Sequence, residues 1–455
     1  MTSETYDPQT TSLRGFHMHV ARFLDGSDTP RAYLDRCIEE IDRREGEVRA
    51  FATLNIEGAR AAADASTRRY ANRAPLSEID GMPFGVKDLF ETEDMPTECG
   101  SPIFKDNHTG RDCALIAGLR EAGAIILGKT VTTEFAFYNP GPTRNPFDTS
   151  RTPGGSSSGS GAAVGAGFVP VAIGSQVVGS LIRPSSYNAN FGFKPSFGAI
   201  NREGAYSNLS QTALGTHAAT LTDAWMSARV AAKFCGGDPG HIGLTGDVAM
   251  PASVHPARLA RFESAGWEKT SPEIRAKFDA LINKLSAAGP PMAGRSDNAR
   301  LEGFEQLMAP ALDVTNDICG YEFLWPLRYY HRRDPASISE NIAARLVDWE
   351  KISADQYAVL LDKRRAMRAA HEALSDEFTA LITLSALGPA PKGHDWTGDP
   401  IYAVNSSILG APAISLPVLE AEGMPLGIQL IGYPRKDREL FACARWVLDV
   451  LGLKP

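Results

Sequence analysis

Residues 151–198 constrain the fold of this chain more than any other stretch, because two glycine- and serine-rich turns flank a short apolar segment there. The first turn, 154–161, has the sequence GGSSSGSG, and the second, 174–180, ends in a serine. Glycine lets the backbone approach a ligand closely. Successive backbone N–H groups in such turns form concave sites for negative charge. The stretch therefore predicts a site in which main-chain N–H groups face a ligand.

The rest of the sequence alternates helix-like and strand-like segments. Residues 30–73, 215–235 and 256–380 carry apolar residues at helical spacing, whereas the short apolar runs 411–418 and 423–432 are typical of buried strands. This alternation predicts an α/β fold with a large mixed, mostly parallel β-sheet covered by helices on both faces.

No internal repeat or long linker divides the chain. We therefore expect one domain over residues 31–455, preceded by a polar segment at residues 1–30.

Composition disfavours several classes of partner. The net charge is −8, which argues against nucleic acid or an anionic membrane as the main partner. The N-terminal residues lack the layout of a signal peptide, and no segment approaches the roughly 18–20 apolar residues that span a bilayer. The six cysteines form no CxxC pair, which is typical of reduced thiols. We expect a cytoplasmic protein.

Residues 123–130, GAIILGKT, match the expression of a phosphate-binding loop. Such a loop needs flexible residues between its glycines and a helix after its lysine. Here the intervening residues are typical of a buried strand, and threonines and aromatic residues follow. The match therefore does not predict a nucleotide site.

A nucleophilic serine needs a base, and no histidine lies within residues 151–198. Lysine is the known substitute, provided that its amine is neutral. Lys87 ends an apolar segment, where burial would favour the neutral amine, and extension of its side chain to the surface is the alternative. Lys129 and Lys194 are rival lysines, and we interpret Lys194 as structural.

Several motifs closely resemble those of the amidase signature family, in particular its short malonamidase-like type. They are GVKDL at 85–89, RTPGGSSSGSGAAV at 151–164, the GSQ and GSLIRP block within 174–198, TGDP at 397–400 and GMPLGIQLIG at 423–432. The resemblance extends from about residue 30 to the end. It is weakest at about 240–380, a helical region that varies within the family.

The resemblance implies an amidase that hydrolyses a linear carboxamide to a carboxylate and ammonia or an amine, without metal or organic cofactor. It assigns the nucleophile to Ser180, a proton relay to Ser156 after a cis peptide bond, and the base to Lys87. The acyl-enzyme would form beside an oxyanion hole made by the N–H groups of residues 177–180, including Val177, Val178 and Gly179.

Two further residues are candidates for substrate binding, Arg183 and Gly155. Some short amidases of this family use an arginine in the S-x-I-R-P arrangement to bind a substrate carboxylate, and bracing of the loop is the alternative role of Arg183. Val177 and Val178 replace the family's usual threonine and small residue. A valine at 178 would distort the hole if that position required a positive φ. We expect the acyl pocket to involve residues 240–380 and loops near 138–142 and 394–404.

The expected partner is a small-molecule amide, with neither nucleic acid nor membrane, and a homodimer is left open. One alternative is the amidase subunit of a tRNA-dependent amidotransferase complex, against which the SLIRP form argues. The other is a non-catalytic relative that keeps the fold.

Overall fold

The computed structural model describes residues 5–289 and 292–455. Its centre is one ten-stranded sheet. The strands are β1 Phe51–Leu54, β2 Pro83–Lys87, β3 Ile125–Thr130, β4 Val171–Gln176, β5 Phe191–Lys194, β6 Ala213–Ala218, β7 Leu259–Arg261, β8 Ala380–Leu384, β9 Ala413–Ala421 and β10 Met424–Ile431. Their order across the sheet is β1-β3-β2-β4-β6-β5-β9-β10-β8-β7.

Fourteen α-helices surround the sheet within the described residues. They are α1 Val20–Asp25, α2 Pro30–Val48, α3 Ile56–Ala71, α4 Ala114–Glu121, α5 Ser158–Gly165, α6 Ile182–Tyr187, α7 Leu221–Cys235, α8 Pro272–Ala288, α9 Ala299–Met308, α10 Ala311–Arg333, α11 Glu340–Trp349, α12 Ala354–Ala373, α13 Val404–Ile408 and α14 Asp437–Leu451. None of these helices has both the length and the apolar character that crossing a bilayer would require.

The α/β class and the mixed sheet are confirmed, but the prediction of mostly parallel pairing is wrong. The parallel pairs are β2–β3, β2–β4 and β7–β8. The other six neighbouring pairs are antiparallel. Strands β9 and β10 form a hairpin whose two turn residues, Glu422 and Gly423, both have positive φ. Such a turn joins antiparallel strands, whereas a parallel pair needs a crossover of a dozen or more residues.

The helical prediction for residues 30–73 also needs correction. Helix α2 begins at Pro30, where the Thr29 side chain accepts a hydrogen bond from the N–H of Ala32. It ends where Arg49 adopts a left-handed conformation. The residues that follow form the edge strand β1 before helix α3 begins.

Helices cover both faces of the sheet because its central strands are apolar on both sides. On β3, Ile126 packs in the same core as Leu119 of α4, whereas Ile125 and Leu127 pack in another core with residues of α2, α3 and α5. Strand β4 divides in the same way, since Val171 and Ile173 belong to the first core and Ala172 to the second. The site lies where these buried strands end.

Most of the segment 123–130 forms strand β3, Ile125–Thr130, as expected, rather than a phosphate-binding loop. Strand β3 ends at Thr130, and Lys129 within it is fully buried. The Lys129 Nζ lies 2.9 Å from Asp88 Oδ1 and donates to Thr97 Oγ1 at 2.7 Å. This lysine is therefore occupied by structural contacts.

Gly159 permits close packing of α5 against the loop that follows β3. Its N–H donates to the carbonyl of Val131 at 2.9 Å, and a Cβ at this position would overlap the Ala50 carbonyl oxygen and the Val131 nitrogen.

We expect Gly159→Ala to lower the free energy of unfolding by about 1–3 kcal/mol through overpacking. Gly303→Ala is the matched control. Its Cβ would meet nothing within 4 Å, so this helical substitution should stabilise the fold slightly. Thermal unfolding that ranks the two variants equally would contradict this account.

Candidate active site

Lys87 is the last residue of β2 and is completely buried. Its Nζ donates to Ser156 Oγ at 2.7 Å and to Ser175 Oγ at 3.1 Å. No carboxylate of the described residues lies within ion-pair distance of this amine. Burial holds the pKa of Lys87 well below its ordinary value. The environment therefore favours the neutral amine, the form that can accept a proton.

Ser156 follows a cis peptide bond from Gly155, as the resemblance implied. Its carbonyl accepts a hydrogen bond from the N–H of Thr133 at 3.2 Å, which ties the glycine-rich loop to the loop after β3. The neighbouring Ser157 and Ser158 make hydrogen bonds to the Ser175 and Gly154 carbonyls. The structure thus brings Lys87 and Ser156 together and gives the adjacent serines supporting contacts.

Ser180 lies at the end of a turn, residues 177–180, that follows β4. The backbone N–H groups of these four residues donate to no group within residues 5–289 and 292–455. Neither Val177 nor Val178 has a positive φ, so the conformation that would strain a valine at 178 does not occur. The turn can therefore present consecutive free donors despite its two valines.

A cavity of about 850 Å³ opens in front of these residues. Ser156, Arg183 and the whole 177–180 turn line one wall. Eight aromatic side chains contribute to the remainder of the lining, namely Phe135, Phe137, Tyr138, Tyr206, Phe323, Trp325, Tyr330 and Trp396. Phe137 and Phe323 stack with centroids 4.4 Å apart, which joins the loop after β3 to helix α10.

Each predicted pocket segment contributes some of the cavity's lining residues. They are Tyr138, several residues of α10, and Trp396, Thr397, Gly398 and Pro400. Residues 204–209 also line it but were not predicted, because their sequence, GAYSNL, carries no motif that distinguishes a pocket from an ordinary loop.

Arg183, on α6, combines burial with an incomplete set of partners. Its Nη2 donates to the Gly155 carbonyl at 2.6 Å and to Thr397 Oγ1 at 3.0 Å. Its buried Nε has no hydrogen-bond partner among the described residues, and no carboxylate there forms an ion pair with it. Desolvation lowers the pKa of this guanidinium. Gly155, the other predicted substrate-binding residue, does not line the cavity. Its carbonyl accepts the hydrogen bond from Arg183 instead.

Sequence reasoning missed Ser175, the second partner of Lys87. This serine lies on β4 within the GSQ motif, and strand alternation alone does not show that its hydroxyl faces the lysine. The rival Lys194 is also buried, and desolvation lowers its pKa to about 7, but its Nζ donates to the Pro195 carbonyl at 3.1 Å and to no serine of the described residues. Within the described residues, no group of three or more His, Cys, Asp or Glu side chains is arranged to hold a metal ion.

Comparison with known proteins identifies relatives over nearly the whole chain. The family model described as Amidase matches residues 32–441. AtzE of Pseudomonas sp. (strain ADP), named as a 1-carboxybiuret hydrolase subunit, is 31% identical over 446 residues, covering 91% of this chain and 94% of its own. A glutamyl-tRNA(Gln) amidotransferase subunit of Sulfurisphaera tokodaii is 28% identical, covering 92% and 94%.

Solved structures show the same fold. One, described as part of a vestigial protein complex that reveals the origins of an s-triazine catabolic enzyme, has a TM-score of 0.84 at 26% identity and covers 97% of this chain and 99% of its own. A bacterial aryl acylamidase has a TM-score of 0.81 at 21% identity, with 96% of each chain covered, and supports the fold alone.

The burial of Lys87 has a consequence for stability. The unfolded chain takes up a proton at this lysine below its ordinary pKa of 10.5, whereas the folded chain resists it. Folding of the wild type is then penalised by about 1.4 kcal/mol per pH unit until the folded-state pKa is reached. We expect the free energy of unfolding of Lys87→Met, relative to wild type, to increase as the pH falls from 10.5 toward 7.

The control is Lys129→Met, which removes the partner of buried Asp88 and should destabilise the fold by about 3–5 kcal/mol. Urea unfolding between pH 7 and 10 measures both effects. A difference between Lys87→Met and wild type that does not vary with pH would show that the lysine is not held neutral.

Proposed function

The chain belongs to the amidase family, hydrolases that act on carbon–nitrogen bonds, and we propose that it hydrolyses a linear carboxamide by a Ser-cisSer-Lys mechanism. One observation carries the proposal above the others. The Lys87 amine is fully buried without a carboxylate partner among the described residues. It lies 2.7 Å from the Oγ of Ser156, which lines the cavity together with Ser180. A lysine in this environment suits proton transfer better than structural support.

The first half of the reaction breaks the amide. Neutral Lys87 accepts the proton of Ser156, which accepts the proton of Ser180 as the Ser180 oxygen attacks the carbonyl carbon. Negative charge then develops on the carbonyl oxygen, where the free N–H groups of residues 177–180 can stabilise it. Ser156 donates its proton to the leaving nitrogen as the carbon–nitrogen bond breaks, and the protonated Lys87 then returns a proton to Ser156.

The second half releases the product. Water attacks the acyl-enzyme at the same carbon and gives its proton to the relay. Ser180 is reprotonated as its bond to the acyl group breaks, and a carboxylate leaves. One water is consumed for each amide bond broken, and Lys87, Ser156 and Ser180 return to their starting protonation states.

For the substrate, we infer an amide that also carries a carboxylate, as in malonamidase-like enzymes. Arg183 supports this inference, because it lines the cavity as a buried cation without an ion-pair partner among the described residues. A relative is named for hydrolysis of 1-carboxybiuret, a carboxylated compound. The volume of about 850 Å³ and the aromatic wall leave room for an apolar substituent as well.

The second candidate function is the amidase component of an amidotransferase complex. It is favoured by the relatives named as glutamyl-tRNA(Gln) amidotransferase subunits, one of which covers 96% of the chain at 28% identity. Native mass spectrometry of the protein purified from its own cells separates the two candidates. A stoichiometric heteromeric partner would support the complex, and hydrolysis of free amides by the lone chain would support the first proposal.

A fluorophosphonate reagent tests the nucleophile. We expect mass spectrometry to find the adduct on Ser180 in the wild type and none in Ser180→Ala. Ser156→Ala and Lys87→Ala should slow both labelling and turnover by about 10²–10⁴-fold.

Labelling and kcat/KM should rise with pH, because burial lowers the pKa of Lys87 and the reaction needs its neutral amine. A flat profile between about pH 6 and 9 would count against Lys87 as the base, and absence of any adduct would favour a non-catalytic relative.

The role of Arg183 is tested with paired substrates, an acidic amide and its neutral methyl ester. Arg183→Gln should lower kcat/KM for the acidic amide about 10- to 100-fold more than for the ester, because a charge-assisted hydrogen bond is lost. The control is Thr397→Val, which removes a neighbour of Arg183 but no charge and should affect both substrates alike. If Arg183→Gln lowered kcat/KM equally for both substrates, Arg183 would not bind a substrate carboxylate and would only brace the loop through Gly155.

A further inference from the structure

The two valine carbonyls of the 177–180 turn are each held from outside the turn. Gln211 Nε2 donates to the Val177 carbonyl at 2.8 Å. Ser407 Oγ donates to the Val178 carbonyl at 2.9 Å. Gln211 lies in the loop before β6, and Ser407 lies on α13. Two separate elements of the fold thus hold two consecutive peptide groups.

Holding these carbonyls also directs the N–H groups that follow them. Both peptide bonds are trans, and a planar trans peptide points its N–H opposite to its C=O. Gln211 therefore fixes the direction of the Val178 N–H, and Ser407 fixes that of the Gly179 N–H. Both N–H groups point away from their braces and donate to nothing within the described residues, and their residues line the cavity.

Gln176 orients one of the braces. Its Nε2 donates to Ser407 Oγ at 2.9 Å, which leaves the Ser407 proton free for the Val178 carbonyl. Its Oε1 accepts the N–H groups of Leu181 and Ile182 at 2.9 and 3.0 Å. The turn is therefore held at its carbonyls and again just after Ser180.

The valine side chains add a second restraint. Val177 packs against the apolar cluster that contains Phe323, and Val178 packs against a different cluster that contains Ile182 and Ile408. With both side chains and both carbonyls engaged, rotation of either peptide group would break a hydrogen bond and disturb apolar packing.

We propose that Gln211 and Ser407 are positioning residues, which hold the Val178 and Gly179 N–H groups toward the charge that develops on the substrate oxygen. The inference rests on the proposed hydrolytic function, in which residues 177–180 form the oxyanion hole. Neither residue touches the reacting atoms, and each acts through the peptide group whose carbonyl it holds.

The variants Gln211→Met and Ser407→Ala test the proposal. Each should lower kcat about 10-fold and leave KM unchanged, because deletion of an oxyanion donor costs about 10²–10³ and misdirection costs part of that. A trifluoromethyl ketone analogue, which forms a tetrahedral adduct with the nucleophile, should lose affinity in parallel with kcat. The planar carboxylate product should keep its affinity.

Ser385→Ala is the matched control, since this buried serine bonds Ser415 at 2.9 Å and does not contact the turn. It should leave kcat and both affinities unchanged. An unchanged kcat in Gln211→Met and Ser407→Ala, or equal loss of affinity for ketone and product, would overturn the proposal.

A crystal structure of the double variant Gln211→Met/Ser407→Ala separates this inference from the proposed function. Reoriented or split peptide planes at 177–178 and 178–179 would support the bracing role even if the wild type hydrolysed no amide. Unchanged planes would overturn it even if the wild type were an active amidase.

Discussion

The burial of one uncompensated amine organises this molecule. Lys87 lies at the end of β2 with two serine hydroxyls as partners and no carboxylate within ion-pair distance among the described residues. An ammonium in that position would lack its hydration shell and any counter-charge. The neighbouring Lys129, equally buried, shows the alternative, since Asp88 lies 2.9 Å from its Nζ. Of these two buried lysines on adjacent strands, Lys129 has a carboxylate partner and Lys87 has none in the described part of the chain. Only Lys87 contacts the glycine-rich loop.

The sequence predicted the chemical groups better than it predicted the frame that holds them. Lys87, Ser156 and Ser180 lie in short motifs that can be recognised from the sequence. In the structure the Lys87 amine donates to Ser156 Oγ, and Ser156 and Ser180 both line the cavity. Gln211 and Ser407 lie 34 and 229 residues from their partners in the turn, and their types are ordinary for a loop and a short helix. No local pattern could identify such contacts.

Strand direction was misjudged for a related reason. Apolar runs indicate that strands are buried, but pairing depends on how the chain returns to the sheet. The Glu422-Gly423 dipeptide between two apolar runs was the available sequence signal for the β9–β10 hairpin, and both residues have positive φ in the structure. Strand β1 was missed because its four residues lie between two strongly periodic helices. A positive φ at residue 178, the condition under which a valine would distort the hole, does not occur in the structure.

The far wall of the cavity has a different origin from the wall that carries the serines. Helix α10 lies within the stretch between β7 and β8, two strands at the edge of the sheet, whereas Lys87 and Ser175 lie on the central strands β2 and β4. Substitutions or length changes in the α8–α12 stretch that keep the apolar packing around Phe323 and Val177 can therefore reshape the cavity without altering the backbone that aligns the serines. Because of this division, homologous proteins can differ in substrate range while they keep the same reaction centre.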